Sequence, residues 1–214
     1  MDNKVIYWVF VVVFVLAIVI GTQIYKRYLI KKYLRCLQQR DFDGFFKVTD
    51  SIASKYFFPY FNRLYMKMNA YMLMPDKKKV EETFEELLAM RTNKKQNLDI
   101  SVKAFYYYVD ESSKQKCKEL LERIKGLEDP SSITECQMIY DIFVCKKGNY
   151  IETMKEQLAE QSEDLDKGML HYMLGVQYEN LGDTKQKKEC LEAALVEMKD
   201  TPYEARIKQM LEAA

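Results

Sequence analysis

Short polar interruptions recur along this chain at nearly constant intervals, and this spacing constrains the fold more than any single motif does. Gly148 and Gly182 lie 34 residues apart, and earlier interruptions centre on Asp43, Pro75 and Ser112. Each interruption separates two stretches whose apolar residues recur at helical spacing, which is the pattern of a helical hairpin. The sequence therefore predicts five helical hairpins, at approximately 25–56, 59–91, 98–126, 133–162 and 168–199.

The composition favours an all-α fold. The chain contains only 7 Gly and 4 Pro, which argues against sandwiches and barrels, whereas its many Leu, Lys, Glu, Met and Ala residues favour helices. Each hairpin exposes an apolar face that only its neighbour can cover, so the hairpins are expected to stack as an α-solenoid. The tail Thr201–Ala214, with Pro202 in its first turn, is predicted to be a C-terminal capping helix.

The last hairpin carries a recognisable motif. In the pattern W-x2-L-G-x2-Y, the residues Leu174, Gly175 and Tyr178 match, and His171 replaces the Trp. The hairpin therefore resembles a tetratricopeptide repeat, whose usual period is about 34 residues. The preceding hairpin matches less well, because Tyr140 and Asp141 replace the Leu-Gly pair.

The resemblance implies a binding surface. In tetratricopeptide folds the first helices of the pairs line a concave groove, and Tyr, Met, Val and Ile there suit an apolar peptide or an amphipathic helix. The alternative, that such residues belong to the core, stays open. The partner-binding residues carried over from the resemblance are Met138, Ile142, Met169, Tyr172, Val176, Glu179 and Asn180.

An uncharged apolar run, Val5–Gly21, lies near the start of the sequence. Extended to Ile24 it reaches about 20 residues, enough to cross roughly 30 Å of hydrocarbon. We therefore predict a transmembrane anchor at 1–24 and a solenoid domain at 25–214. A cleaved signal peptide is the alternative, but the run is longer than a usual signal core and no small-residue cleavage site follows.

Basic residues follow the apolar run, and no acidic residue lies between the run and Asp41. Because positive charge stays on the inner side of a membrane, the N-terminus is predicted to lie outside and the C-terminal domain in the cytoplasm. On a helix four of these residues fall opposite Leu29, Tyr33 and Cys36. Contact with anionic membrane lipid is an equally open role for them. The basic residues are Lys26, Arg27, Lys31, Lys32 and Arg35.

The sequence offers little support for catalysis. The formal net charge is +1, so there is no global field to attract nucleic acid. His171 is the single histidine and is expected to have a structural role, which argues against multi-histidine metal sites and catalytic triads. The five cysteines form no C-x-x-C motif and are predicted to be free thiols. We predict no enzyme activity, no cofactor, no metal and no nucleic-acid partner.

These observations favour a membrane-tethered cytoplasmic scaffold that binds a protein partner, or an apolar or amphipathic peptide, through a groove like that of tetratricopeptide repeats. Two alternatives remain open. One is a regulatory receptor that senses a peptide or metabolite in the groove. The other is an accessory subunit of an envelope or translocation complex, in which the membrane-spanning helix itself contacts integral partners.

Overall fold

The computed structural model describes residues 3–74, 76–160 and 164–212, with side chains from residue 7 onward except at 164 and 165. Over these ranges it contains twelve α-helices and one π-helical turn, and none of the described residues forms a strand. The predicted all-α class is therefore confirmed. The chain divides into two compact units, Met1–Arg91 and Thr92–Ala214.

The described residues of the first unit form five helices, and the first of these is the longest helix that the structure describes. This helix, α1, is 36 residues long and passes through residue 24 without a break. The predicted end of the anchor at residue 24 therefore does not coincide with a helix end. The five helices are α1 (Asn3–Gln38), α2 (Phe42–Thr49), α3 (Ile52–Phe57), α4 (Tyr60–Leu73) and α5 (Lys77–Ala89).

Capping side chains fix where several of these helices begin. Asp41, Ser51 and Asp76 each accept a hydrogen bond from the backbone N–H three residues later, at 2.9 to 3.2 Å. Each bond satisfies a backbone donor that has no partner inside its helix. The predicted interruption centred on Asp43 lies slightly later than the observed one, because Asp43 is in the first turn of α2 and the chain leaves its helical path at residues 39–41.

The core of the first unit includes the last turns of α1. Leu29 and Tyr33 are buried in one cluster with Phe45 of α2 and Ala70 of α4. The ring centroids of Tyr33 and Phe45 are 6.0 Å apart. The C-terminal part of α1 is thus an integral helix of this unit rather than a linker that leads to it.

The second unit has seven α-helices and the π-helical turn among its described residues. Its helices are α6 (Lys94–Asp110), α7 (Lys114–Lys125), α8 (Pro130–Ile139), α9 (Ile151–Glu160), α10 (Asp164–Leu181), α11 (Thr184–Glu197) and α12 (Glu204–Glu212), and the π-helical turn Tyr140–Val144 follows α8 directly. Within this unit α7 contacts α8, α9 contacts α10, and α11 contacts α12, so each pair of helices meets the next.

The predicted interruptions in the second unit lie where the helices end. Ser112, Gly148 and Gly182 all fall in connections between helices. Ser112 and Gly182 adopt left-handed backbone angles, with φ of 54° and 76°, which is a common way to end a helix. Pro75, in the first unit, lies outside the described residues. The helices follow one another as five successive pairs and a final helix, α12, as the spacing predicts, with α2 and α3 together completing the first pair.

Candidate functional site

The packing of α10 against α11 depends on the absence of a side chain at Gly175. A Cβ atom placed there would lie 2.7 Å from Cδ2 of Leu191 and 3.6 Å from the backbone oxygen of Lys187. Real Cβ atoms do not approach a neighbour as closely as 2.7 Å, so glycine permits this helix contact. Leu191 and Ala194 of α11 are fully buried in the same core.

Three of the seven predicted partner-binding residues belong to this core. Ile142, Tyr172 and Val176 are buried in one apolar cluster with Leu174 and Met198. Their side chains stabilise the helix packing and contribute almost no exposed surface. The part of the predicted set that reaches the surface therefore consists of Met138, Met169, Glu179 and Asn180.

The two polar members of that set are already engaged within the unit. Glu179 accepts a hydrogen bond of 2.8 Å from the buried ammonium of Lys187. The amide nitrogen of Asn180 donates to the backbone oxygens of Ile142, at 2.9 Å, and Lys147, at 3.0 Å. These oxygens lie in and just after the π-helical turn, so Asn180 holds the end of that turn against α10.

The C-terminal segment explains why Tyr172 is covered. The Tyr203 ring lies 6.0 Å from the Tyr172 ring between centroids, and the Arg206 guanidinium carbon lies 5.9 Å from the Tyr172 centroid. Arg206 also forms an ion pair of 3.3 Å with Asp110 at the end of α6. The Tyr172 hydroxyl is buried without a hydrogen-bond partner among the described residues. The sequence predicted α12 as a cap, but it gave no signal that this segment covers Tyr172.

A cleft of about 610 Å³ lies between α9 and α10. Met169, the predicted binding residue that the cleft includes, lies on its wall with Leu170 and Met173. Residues 161–163, which link α9 to α10 along the chain, are outside the described residues. The lining residues are Gln157, Glu160, Asp166, Met169, Leu170 and Met173.

The chemistry of the cleft is divided between an apolar wall and acidic groups. Met169, Leu170 and Met173 follow one another at helical spacing on α10 and provide flexible apolar contact area. Glu160 and Asp166 are exposed carboxylates that line the same cleft. An apolar side chain flanked by Lys or Arg would match both features. Sequence reasoning found Met169, but it missed Met173 and both carboxylates.

A partly buried polar cluster surrounds Asp141 in the π-helical turn. Its carboxylate accepts hydrogen bonds from Lys147 Nζ at 2.8 Å, from the Tyr150 hydroxyl at 2.9 Å and from Gln137 at 3.3 Å. Burial acts to raise the pKa of Asp141, but these three hydrogen bonds outweigh it and leave the pKa below its ordinary value of 3.8. Burial, and then the bond to Asp141, raise the pKa of Tyr150 to about 12.

The single histidine and two of the buried cysteines are further side chains that could take part in a reaction. His171 Nδ1 lies 2.6 Å from Glu197 Oε2, which joins α10 to α11. Burial raises the pKa of the Cys117 thiol to about 11 and, together with the smaller effect of nearby Glu135, that of Cys136 to about 12, so both stay protonated and weakly nucleophilic at neutral pH. Among the described residues no group of three or more His, Cys, Asp or Glu side chains is placed to hold a metal ion.

The apolar part of α1 is long and apolar enough to cross a membrane, and none of the other described residues covers it. Beyond it, Arg27, Lys31, Lys32 and Arg35 are exposed. Leu29, Tyr33 and Cys36 are buried on the opposite side, so the predicted two-sided helix is confirmed. Lys26 differs from the other four basic residues, because its ammonium lies 5.9 Å from the centre of the Phe57 ring.

Comparison of the chain with protein-family models, with curated proteins and with solved structures found no match.

Proposed function

We propose that this chain is a membrane-tethered scaffold of tetratricopeptide-like helical pairs that binds a protein partner through the α9–α10 cleft. The observation that carries the proposal is the combination of an uncovered apolar helix with a methionine-walled cleft in a separate unit of the same chain. The helix provides attachment, and the cleft provides a surface on which another chain can be held.

The repeat assignment rests on packing as well as on the motif. Leu174 and Tyr178 are buried at the motif positions, and Gly175 lies against Leu191 at the distance that requires glycine. Successive pairs in the second unit contact one another, as stacked repeats do. These contacts support a solenoid built from such pairs.

The partner that suits the cleft is an amphipathic segment with a large apolar anchor and adjacent Lys or Arg residues. The apolar side chain would occupy the space beside Met169 and Met173, where flexible thioethers adapt to irregular shapes. The basic side chains would approach Glu160 and Asp166. Both carboxylates are exposed, so this electrostatic contribution would weaken as the salt concentration rises.

Site-specific photocrosslinking in cells tests the cleft. A photoreactive amino acid in place of Met169 is expected to give a discrete crosslinked product with one protein. The same amino acid in place of Val196, whose side chain is 78% exposed on α11, serves as the control and is expected to give little of that product. Equal yields from the two positions would contradict the proposed binding site.

Charge reversal tests the chemistry of the partner. The double change Glu160→Lys and Asp166→Lys should abolish the Met169 product, because it replaces attraction of basic side chains by repulsion. The matched control is Glu192→Lys, an exposed change of the same kind on α11, outside the cleft lining. A product that survives the double change as well as it survives the control would refute the proposed basic partner segment.

The orientation of the protein is also part of the proposal. With α1 across the membrane, the exposed basic residues after it favour a cytoplasmic C-terminal region and an external N-terminus. A reporter enzyme fused after residue 214 should be active in the cytoplasm. Activity confined to the outer side of the membrane would reverse this orientation.

A receptor for a small ligand is a second candidate, and the size of the cleft favours it. A volume of about 610 Å³ falls within the range of roughly 300–1,000 Å³ that is usual for small-molecule sites. Such a ligand would raise the unfolding temperature of the protein, and Met169→Asp, a change at a partly exposed residue of the cleft wall, would reduce that rise. A screen in which no small molecule shifts the unfolding temperature would leave the scaffold as the better explanation.

A further inference from the structure

Helix α3 exposes two large apolar side chains to an unusual degree. Ile52 is 88% exposed and Tyr56 is 82% exposed. The two residues are four positions apart, so they lie on the same face of the helix. This face is not covered by any other part of the chain that the structure describes.

The exposed face does not arise from a loosely attached helix. The Tyr33 hydroxyl donates a hydrogen bond of 2.5 Å to Ser54 Oγ, and Ser54 Oγ donates one of 2.6 Å to the backbone oxygen of Val48. Phe58, directly after the helix, packs on Tyr33 with 5.8 Å between ring centroids. The buried residues Ser54 and Phe58 fix α3, and its other face is therefore held outward.

The position of α3 along α1 places this face near the membrane boundary. The Phe57 ring lies 5.5 Å from the Tyr25 ring between centroids, and the Lys26 ammonium lies 5.9 Å from the Phe57 ring centre. Tyr25 and Lys26 directly follow the apolar run that ends at Ile24. With α1 across a bilayer as proposed, the C-terminal end of α3 would therefore lie where hydrocarbon gives way to lipid headgroups.

The composition around α3 matches that environment. The segment 51–61, SIASKYFFPYF, contains no acidic residue, one lysine and five aromatic residues. Tyrosine prefers the interface because its ring is apolar and its hydroxyl is polar. The exposed cations Arg27, Lys31 and Lys32 of the adjoining helix add attraction for anionic headgroups.

We propose that α3 is a second membrane contact, in which Tyr56 and Ile52 enter the headgroup region of an anionic bilayer and fix the first unit against the surface. The inference rests on the proposed membrane attachment through α1. According to this inference, the first unit contacts the bilayer surface through α3 in addition to being attached through α1.

Tryptophan fluorescence of the full-length protein in vesicles tests this contact. Trp8 is the single tryptophan, so the variant Trp8→Phe contains no tryptophan. One new tryptophan is then introduced into this variant as the fluorescent probe. Tyr56→Trp is the main probe and Ile52→Trp is a second probe, and both replace exposed side chains. The vesicles contain equal amounts of phosphatidylcholine and phosphatidylglycerol, with or without bromine on the acyl chains near the headgroup.

A matched control comes from the same unit. Leu73 is 59% exposed at the end of α4, and Tyr71 beside it stacks on Phe46 at 5.0 Å. Phe46 belongs to α2, which follows the end of α1 that is distant from the apolar run. Leu73→Trp therefore places an exposed tryptophan farther from the membrane.

The proposal expects Tyr56→Trp to emit at shorter wavelength than Leu73→Trp and to lose most of its fluorescence in brominated vesicles, while Leu73→Trp keeps its fluorescence. Loss of fluorescence should be weaker in vesicles of phosphatidylcholine alone. If Tyr56→Trp and Ile52→Trp are quenched no more than Leu73→Trp, the proposal is wrong. The same holds if they are shielded from both brominated lipid and aqueous iodide, which would indicate a protein contact.

An alkaline carbonate wash separates this result from failure of the attachment itself. Protein that stays in the vesicles but has unquenched probes contradicts only the contact through α3. Protein that the wash releases contradicts the membrane attachment of α1 and, with it, the contact through α3.

Discussion

Gly175 of α10 and Asp141 of the π-helical turn lie 34 residues apart, and in the proposed repeat alignment they occupy the same position in neighbouring pairs. At Gly175 the next helix comes so close that a Cβ would lie 2.7 Å from Leu191. At Asp141 the helix widens, and Cys145 N–H bonds to the oxygen of Tyr140 five residues before it. The same position of the proposed repeat thus forms a close apolar contact at Gly175 and a polar cluster at Asp141.

The spacing of the proposed repeat therefore persists between these two pairs while the local chemistry changes. Glycine holds two helices together by removing bulk. Asp141 holds the connection between the π-helical turn and α9 by gathering Lys147 and Tyr150 around one carboxylate. A motif search detects the first arrangement only. The two positions should therefore respond differently to substitution.

The largest effect is expected for Gly175→Leu. Overpacking a helix contact costs about 1–3 kcal/mol, and the upper end applies because the nearest neighbour, Leu191, is fully buried. The better helix propensity of leucine, nearly 1 kcal/mol, opposes only part of the loss. Denaturation of the full-length protein in detergent, followed by circular dichroism, measures the change.

Gly175→Ala and Gly126→Ala calibrate that result. The distance of 2.7 Å between a new Cβ at Gly175 and Leu191 predicts a measurable loss of stability for alanine there. At Gly126 the nearest atom to a new Cβ is 3.4 Å away, so little change is expected. Equal stability of the three glycine variants would disprove the close contact.

A somewhat smaller loss is expected for Asp141→Ala. The change removes the acceptor of Lys147, Tyr150 and Gln137, and unsatisfied polar groups that are partly buried cost about 1–3 kcal/mol. We expect about 1.5 kcal/mol, in the lower half of that range, because the Lys147 side chain is about half exposed and can bond to water. Tyr150→Phe removes one donor and leaves the carboxylate, so it should cost less. A larger loss for Tyr150→Phe than for Asp141→Ala would contradict this account of the cluster.

The Asp141 cluster should also depend on pH. The folded state lowers the pKa of Asp141 below its ordinary value of 3.8, so folding favours the ionised carboxylate. Its contribution is complete above the unfolded pKa and is lost as the pH falls through the folded pKa. The stability difference between the native protein and Asp141→Asn should therefore be constant from pH 7 to about 5 and shrink below that. A difference that grows on acidification would show that the assigned direction is wrong.

The smallest effect is expected for Glu179→Gln. The change weakens the ion pair with Lys187, whose side chain is 7% exposed, while Glu179 itself is 44% exposed. Solvent screening limits such a pair to about 1 kcal/mol or less. Glu192→Gln, whose pair with Lys188 has a separation of 3.8 Å between two exposed side chains, should change the unfolding temperature even less. A larger change for Glu192→Gln than for Glu179→Gln would mean that the burial of Lys187 does not strengthen its ion pair with Glu179.

Much of the helix order follows from local signals in the sequence. Asp41, Asn93 and Asp183 cap helices with their side chains, and Gly182 permits the left-handed turn that separates α10 from α11. These effects involve residues within a few positions of one another. Spacing and composition were therefore sufficient to predict the succession of helical pairs.

The candidate site depended on contacts between distant residues, and it was predicted only in part. The repeat pattern placed Tyr172 on the first helix of a pair, but its burial depends on Tyr203 and Arg206, about 30 residues later. The cleft was missed because Gln157 and Glu160 come from α9 and meet α10 only in the folded unit. Likewise no local signal marks Tyr140–Val144 as a π-helical turn.

The continuity of α1 has a mechanical consequence. Its 36 residues form a rod about 54 Å long at 1.5 Å per residue, and Leu29 and Tyr33 in its last third are packed into the first unit. No break in the helix separates its apolar part from the part that is packed into the first unit. A rotation of the apolar part about the helix axis therefore rotates the first unit with it. In the proposed membrane-spanning arrangement, a second transmembrane helix that packed against one side of α1 would therefore also determine the orientation of the first unit.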